Sequence, residues 1–405
     1  MAGSFAYRVR TREGRILEGK MEADGEGAVA SRLREQGLVP IQISKESKLS
    51  FKMEIQLKEK RVKLKDLAVF SRQFATMINS GLSLLRTLII LSEQTENPTL
   101  AKAIAALRDD VERGSSLSAA MSKHPKIFSK LYISMVKAGE TGGQLDVVLV
   151  RLAESLEADY KLRQKVKSAM TYPVIVTGIS VLLVAVMLVF IVPTFASMFE
   201  DLGGELPLPT KILVLVSDQA KILVPLGIVL FVAGFIGYKK MRERSPDFRL
   251  RTDQAKLKVP VFGGLFQKIA LSRFVRTLGL LLRAGVPVLQ ALDIVSDTSG
   301  NEIIGRAALD VKESVRSGES MSEPLGRHGV FPPMVIQMIA VGEDTGALDS
   351  MLDKIGDFYD QEVESTTESL TALIEPLMIA GLGGIVGGMV IALYMPMFKI
   401  YDLIE

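Results

Sequence analysis

The chain has no cysteine and only two histidines among its 405 residues. The lack of cysteine excludes disulfides, thiolate nucleophiles and cysteine-based metal sites. His124 and His328 stand at equivalent positions of a repeat, each just before a turn with proline or glycine, which favours a structural role over a catalytic or metal-ligating pair. Neither a Gly-x-x-x-x-Gly-Lys-Ser/Thr loop nor a His-Glu-x-x-His helix occurs. We therefore expect no catalytic residue, no metal, no cofactor and no enzymatic activity.

Charge is missing from three long runs, residues 168–199, 222–238 and 376–398. About 20 largely apolar residues cross a bilayer as a helix, so the first and third runs qualify directly. The second run is shorter, but Lys221 and Lys239 extend it by reaching towards water at either end. Buried core helices seldom lack charge over such lengths. The sequence predicts transmembrane helices at 171–195, 221–238 and 373–398.

The chain repeats itself at an offset of 204 and then of 203 residues. The matching pairs include Phe70 and Phe274, Arg72 and Arg276, Gly81 and Gly285, Gly139 and Gly342, Glu140 and Glu343, and Asp146 and Asp349. Solenoid repeats measure only about 20–50 residues, so this period indicates a duplicated domain. Apolar positions at helical spacing, broken by Gly, Pro and Ser turns, predict a helical bundle of about 100 residues per copy. The modules are placed at 66–170 and 270–372.

Basic residues collect on one side of the predicted spans. They precede the first span at Lys161, Arg163, Lys165 and Lys167, and follow the second at Lys239, Lys240, Arg242, Arg244, Arg249, Arg251, Lys256 and Lys258. Residues 200–221, between the first two spans, hold four acidic residues and two lysines. Positive residues mark the cytoplasmic side. We expect a cytoplasmic N-terminus, two cytoplasmic modules, a basic cytoplasmic connector at 239–269, an external loop at 196–220 and an external tail at 399–405.

The second span has no counterpart in the repeat, and it returns the chain so that both modules face the same side. Residues 1–45 stand outside the repeat and read as a hairpin, a helix that ends at Gly37, and a third strand. A basic linker at 46–65 follows. The predicted fold is an all-α membrane protein with two duplicated helical-bundle modules, three transmembrane helices and a small α+β N-terminal domain.

A glycine-rich acidic turn occurs in each module, at 139–143 and 342–346. Its acid would repel phosphate, so we interpret it as an inter-helix turn with a left-handed glycine, and expect Gly139 and Gly342 in equivalent turns. An exposed acidic turn present twice could also bind basic groups of a partner. The candidate partner-binding residues are Glu140, Thr141, Glu343, Asp344, Arg72 and Arg276.

The third span carries five glycines between residues 381 and 388. Gly384 and Gly388 have the small-xxx-small spacing that lets a second helix approach closely. Glu375 lies at the cytoplasmic end of this span, at the position that Tyr172 occupies in the first, so both are interfacial. We expect this span to pack against another helix through Gly384 and Gly388.

These features together resemble a known family, the platform proteins of type IV pilus and type II secretion machines. The resemblance rests on the Gly-Glu-x-x-Gly turns, the duplicated layout, residues 38–40, and a signature that runs through Lys165, Val166, Lys167, Ser168, Ala169, Met170, Thr171, Tyr172, Pro173, Ser180, Met187, Ile191, Val192 and Pro193. Residues 204–209 look closer to the pilus branch.

The resemblance implies a multi-pass scaffold in the cell inner membrane that couples a cytoplasmic hexameric assembly or retraction ATPase to pilin insertion or extraction. Pilin or pseudopilin, other inner-membrane machine components, the lipid bilayer and further copies of the chain are the implied partners, without nucleic acid. A type II secretion platform is the alternative. A transporter or channel is more distant because it would need several polar residues inside the spans, and an intramembrane enzyme would need a catalytic pair there.

Overall fold

The computed structural model describes residues 3–10, 16–35, 37–45, 60–201 and 206–404. The chain divides into two compact units, Met1–Lys60 and Arg61–Glu405. The hairpin tip at 11–15, most of the predicted linker (46–59) and residues 202–205 of the predicted external loop lie outside the described residues.

The N-terminal unit is a three-stranded antiparallel sheet with one helix. Strands β1 (Gly3–Arg10), β2 (Ile16–Ala23) and β3 (Val39–Lys45) pair in the order β2-β1-β3, and helix α1 (Glu26–Glu35) connects β2 to β3. Phe5 and Val9 share one face of β1, because side chains alternate along a strand, and they are buried with Val29 and Leu33 of α1. This confirms the predicted α+β domain.

The first module consists of six helices: α2 (Leu64–Asn79), α3 (Leu84–Gln94), α4 (Pro98–Glu112), α5 (Leu117–Ser122), α6 (Lys130–Gly142) and α7 (Leu145–Val186). Their ends follow local sequence signals. The Asn97 side chain accepts hydrogen bonds from the backbone N–H groups of Thr99 and Leu100 and so caps α4. The left-handed backbone of Gly81 (φ +85°) follows α2, and that of Gly143 (φ +66°) ends α6.

The second module repeats this order with α11 (Gly263–Arg283), α12 (Val288–Thr298), α13 (Glu302–Arg316), α14 (Ser322–Arg327), α15 (Pro333–Asp344) and α16 (Leu348–Ile404). Phe70 packs on Phe128 in the first module, and Phe274 packs on Phe331 at the equivalent place in the second. The buried side chains of both modules belong to one continuous hydrophobic cluster. The modules therefore pack directly on each other.

Three helices of the described chain are long and apolar enough to cross a membrane: Leu145–Met198, Leu208–Arg242 and Leu348–Phe398. The first comprises α7, a π-helical turn (Met187–Ile191) and part of α8 (Val192–Asp201). The second belongs to α9 (Leu208–Arg244), and the third comprises 51 of the 57 residues of α16. The protein is an all-α membrane protein outside its N-terminal domain.

Several predicted boundaries fall inside continuous helices. Helices α7 and α16 run from module into span without a break, so the predicted divisions at 170/171 and 372/373 coincide with no break in the structure. Most of the expected external loop at 196–220 is helical, because Pro207 and Pro209 occupy the N-cap and first turn of α9, where proline is favoured. The connector at 239–269 contains α10 (Pro246–Lys258). The expected tail continues α16 to Ile404.

Candidate functional site

The two predicted arginines join the first and last helices of their modules. The guanidinium of Arg72 on α2 donates to both carboxylate oxygens of Glu157 on α7, at 2.7 and 2.8 Å. Arg276 on α11 donates to Asp360 at 2.8 Å and to Asp357 at 3.0 Å, both on α16. The hydrogen bond from Arg72 lowers the pKa of Glu157. Both guanidinium groups are thus engaged within the module, and a partner would meet only their exposed edges.

The two predicted acids hold the start of a neighbouring helix. The Glu140 carboxylate accepts from the backbone N–H of Leu117 at 2.5 Å and of Ser118 at 3.1 Å, at the N-terminus of α5. Glu343 accepts from the backbone N–H of Met321 at 2.8 Å and from the Ser320 hydroxyl at 2.8 Å. Unpaired N–H groups at a helix start are satisfied by such oxygens. Both acids therefore act inside their modules.

The neighbouring positions, Thr141 and Asp344, are equivalent and both exposed. The Thr141 hydroxyl donates to the Lys137 carbonyl of its own helix. Thr141 and Asp344 lie at the ends of α6 and α15, just before the turns into the long helices α7 and α16. Of the six candidate partner-binding residues, Thr141 and Asp344 are the two that are exposed.

Gly139 and Gly342 lie inside helices, not in turns as expected. The left-handed turn residues are Gly143 and Gly346, with φ of +66° and +68°. A Cβ on Gly139 would lie 3.1 Å from the Cα of Leu145, and one on Gly342 would lie 2.9 Å from the Cα of Leu348. Glycine is needed there because the next helix crosses too closely for a side chain.

Polar contacts tie the two modules together beside their shared core. The Lys130 ammonium lies 2.6 Å from Asp297, and the Arg151 guanidinium donates to the Arg283 carbonyl at 2.7 Å. Nearer the membrane, Lys165 on α7 pairs with Glu364 on α16. These contacts join the modules into one body that meets the bilayer with both long helices side by side.

Two hydroxyl groups of α9 compensate for prolines in the other spans. Pro396 has no N–H, so the Ala392 carbonyl four residues earlier lacks its helical donor. The buried Thr210 hydroxyl donates to that carbonyl at 2.6 Å. In the π-helical turn of the first span, the backbone N–H of Val192 donates to the carbonyl of Met187, five residues earlier. The next residue, Pro193, has no N–H, so the carbonyl of Leu188 lacks its donor.

The Ser217 hydroxyl, fully buried, donates to the Leu188 carbonyl instead. Thr210 and Ser217 are seven residues apart and so share one face of α9. In a bilayer an unsatisfied carbonyl is costly, so these bonds hold the first part of α9 against the other two spans. Sequence reasoning missed both residues. The sequence did contain a signal: two hydroxyl residues seven positions apart in α9, and one proline in each of the other two spans that leaves a carbonyl without its donor.

The glycine face of the third span is open. Gly384 and Gly388 are exposed on α16, and a Cβ on either would meet no heavy atom within 4 Å. No helix of the described chain occupies this face. Packing of another helix on it stays a prediction.

The two histidines lie at turns that follow short helices. The backbone N–H of His124 bonds to the Met121 carbonyl after α5. His328, after α14, places Nε2 2.8 Å from the Asp310 carboxylate. Within the described ranges no group of three or more His, Cys, Asp or Glu is positioned to hold a metal ion.

Comparison with known proteins gives a family match over most of the chain. The model of "Type II secretion system (T2SS), protein F" matches twice, over residues 70–193 and 274–396, which confirms the duplication. The model of that family's N-terminal domain matches residues 1–44. The chain spans nearly the full length of its curated relatives.

The relatives include proteins named for type IV pilus assembly and proteins named for type II secretion. The chain is 46% identical to Type IV pilus assembly protein PilC of Thermus thermophilus over 398 residues, which cover 98% of each chain. It is 43% identical to the protein of that name from Myxococcus xanthus over 405 residues, covering 99% of this chain and 96% of the relative. Type II secretion system protein F of Vibrio cholerae is 33% identical over 418 residues, covering 99% of both.

Proposed function

Because the chain belongs to the type II secretion system protein F family, we propose that it is the non-enzymatic inner-membrane platform of a type IV pilus machine. The choice of pilus over secretion is carried by identity. The relatives named for pilus assembly in Thermus thermophilus and Myxococcus xanthus share 46% and 43% with this chain over nearly their whole length. Relatives named for secretion share 31–34%. A type II secretion platform is the alternative.

The proposed platform couples a cytoplasmic hexameric ATPase to the insertion or extraction of pilin. A scaffold that transmits force needs domains that move as one body and helices that continue into the membrane. The shared core of the two modules and the unbroken helices α7 and α16 support this role. Pilin or pseudopilin, other machine components and further copies of the chain are the proposed membrane partners.

The proposed orientation places the N-terminus and both modules in the cytoplasm and the end of α16 outside. The basic residues at both cytoplasmic ends support it, because positive charge is retained on that side. The common core of the modules supports it independently, because two domains that pack together must lie on the same side of the membrane. With three spans, the C-terminus is then external.

Deletion of the gene in its own bacterium tests the pilus assignment. We expect surface pili, counted by electron microscopy, to disappear while type II secreted enzymes still reach the medium. Expression of the unaltered chain should restore the pili. Normal piliation with lost secretion would instead establish the secretion alternative.

The proposed motor contact includes the exposed residues of the repeated turn, Thr141 and Asp344. Asp344→Arg reverses a charge that makes no side-chain hydrogen bond within the described residues, so we expect a folded protein that binds the assembly ATPase at least tenfold more weakly. Glu112→Arg, on the exposed surface of α4 and likewise without a side-chain hydrogen bond or ion pair within the described residues, is the matched charge-reversal control and should bind normally. Binding of purified motor to the chain in nanodiscs measures both. Equal affinity for both variants would remove the turn from the interface.

A further inference from the structure

An apolar cleft with a basic rim lies where the first span leaves its module. Its volume is about 530 Å³, and it lies between α7 and α11. The α7 side is a single helix face, since its lining residues recur at intervals of three and four. The wall of the cleft is mostly apolar and includes Val166, Met170, Val174, Ile175 and Ile269.

The rim of the cleft carries Arg163, Lys167 and Arg273. One carboxylate, Asp159, serves two of these cations: it accepts from Arg163 at 2.9 and 3.0 Å and lies 3.7 Å from Arg273. Lys167 has no ion pair within the described residues. Three cations with one anion leave two positive charges at the rim.

Arg273 is the most buried of the three cations. Its Nε–H is buried and has no acceptor among the described atoms. Burial lowers the pKa of its guanidinium, which the distant Asp159 offsets only in part. A second anion at the rim would relieve this cost.

The cleft is not a product of the duplication. The positions equivalent to Arg163, Lys167 and Arg273 in the other copy are Thr366, Leu370 and Val69. None of them is charged, and Leu370 is buried. The basic rim therefore arose in one copy only, which points to a ligand rather than to a general need of the fold.

We propose that this cleft binds an anionic phospholipid of the cytoplasmic leaflet, with its phosphate at Arg163, Lys167 and Arg273 and an acyl chain along Met170 and Val174. The depths agree. Lys167 is the last charged residue before the charge-free run, so it lies at headgroup level. Val174, seven residues further, lies about 10 Å deeper along the helix, in the hydrocarbon. Basic pockets between helices on the cytoplasmic side suit anionic headgroups.

The lipid preference can be measured by fluorescence quenching, because the chain has no tryptophan. Val174→Trp places a reporter in the cleft, and Phe231→Trp places a control on the exposed part of α9. Each full-length variant is reconstituted in mixed vesicles of phosphatidylglycerol and phosphatidylcholine, with one of the two brominated in its acyl chains. We expect preferential quenching by brominated phosphatidylglycerol at Val174→Trp and equal quenching by both lipids at Phe231→Trp.

Charge removal then tests the rim. In the Val174→Trp chain, Lys167→Gln and Arg273→Gln should each reduce the preference by up to about fivefold. Lys161→Gln, exposed on α7 and outside the cleft, should leave it unchanged. Lys167 is exposed and has no ion pair among the residues that the structure describes, so its variant should fold even if that of Arg273 does not. Added inorganic phosphate should not abolish the quenching, because it cannot occupy the apolar wall.

Two results would overturn the proposal. Equal quenching by both lipids at Val174→Trp would show a cleft that does not select anionic lipid. If neither brominated lipid quenches the fluorescence of Val174→Trp, a protein helix from a second copy or a partner fills the cleft instead of a lipid. The proposal rests on the proposed orientation only for the choice of leaflet. The vesicle assay uses neither motor nor pilin, so a failed pilus assignment would leave its outcome unchanged.

Discussion

A buried polar pair in the first module is apolar in the second. The hydroxyls of Ser71 and Tyr132 lie 3.0 Å apart, both fully buried. The equivalent residues, Val275 and Val335, are buried as well. Burial raises the pKa of Tyr132, so the phenol stays protonated and the pair stays neutral. Changing both partners together is tolerated because no buried polar group is left alone.

Single and double substitutions at this pair should therefore differ. Tyr132→Phe leaves the Ser71 hydroxyl without its partner and should lower the free energy of unfolding by about 1–3 kcal/mol. Adding Ser71→Val should recover most of that loss. Thermal unfolding of the purified protein in detergent measures both, with the exposed Tyr172→Phe as control. A double variant less stable than Tyr132→Phe alone would contradict this account.

At the scale of helices, the proline-containing spans depend on their neighbour. Thr210→Val removes the donor to the Ala392 carbonyl and should destabilise the membrane region by about 0.6–2 kcal/mol. Pro396→Ala restores a backbone N–H four residues after Ala392, so the same Thr210→Val change should cost little in that background. Unfolding of the four proteins in detergent forms a double-mutant cycle. Additive effects would show that the threonine does not act through this carbonyl.

The open glycine face of the third span carries a second prediction about helices. Gly384→Leu or Gly388→Leu should insert normally, because leucine favours the bilayer, and should impair pilus assembly by blocking close helix packing. Gly178→Leu is the matched control, since Gly178 is an exposed glycine of the first span with equally open surroundings. Membrane fractionation and pilus counts measure the two properties. Normal piliation in both variants would make these glycines incidental.

For the whole molecule, the number of spans sets which side each end occupies. Reporter fusions after Arg251 and after Glu405 should report opposite sides of the membrane, with the first cytoplasmic. A phosphatase that is active only outside and a fluorescent protein that folds only inside serve as the paired reporters. The same side for both fusions would refute the three-span arrangement.

The large-scale organisation was predictable from the chain alone. Charge-free runs identify the spans because an ionised group in hydrocarbon is costly wherever it lies in the fold. The constant offset between equivalent residues, such as Phe70 and Phe274, identifies two copies. Neither a charge-free run nor a repeat depends on how the chain packs. The turn at Gly81 was equally readable, since only glycine adopts that backbone freely.

The roles of individual polar side chains were decided only by the tertiary structure. Glu140 looked like an exposed docking acid, but folding brings the amides of α5 to its carboxylate over 22 residues of chain. Thr210 meets Ala392 across 182 residues, and Arg273 meets Asp159 across the module interface. Hydrogen bonds and ion pairs act over about 3–4 Å. Sequence periodicity determines which face a residue occupies, whereas only the packed fold determines what that face touches.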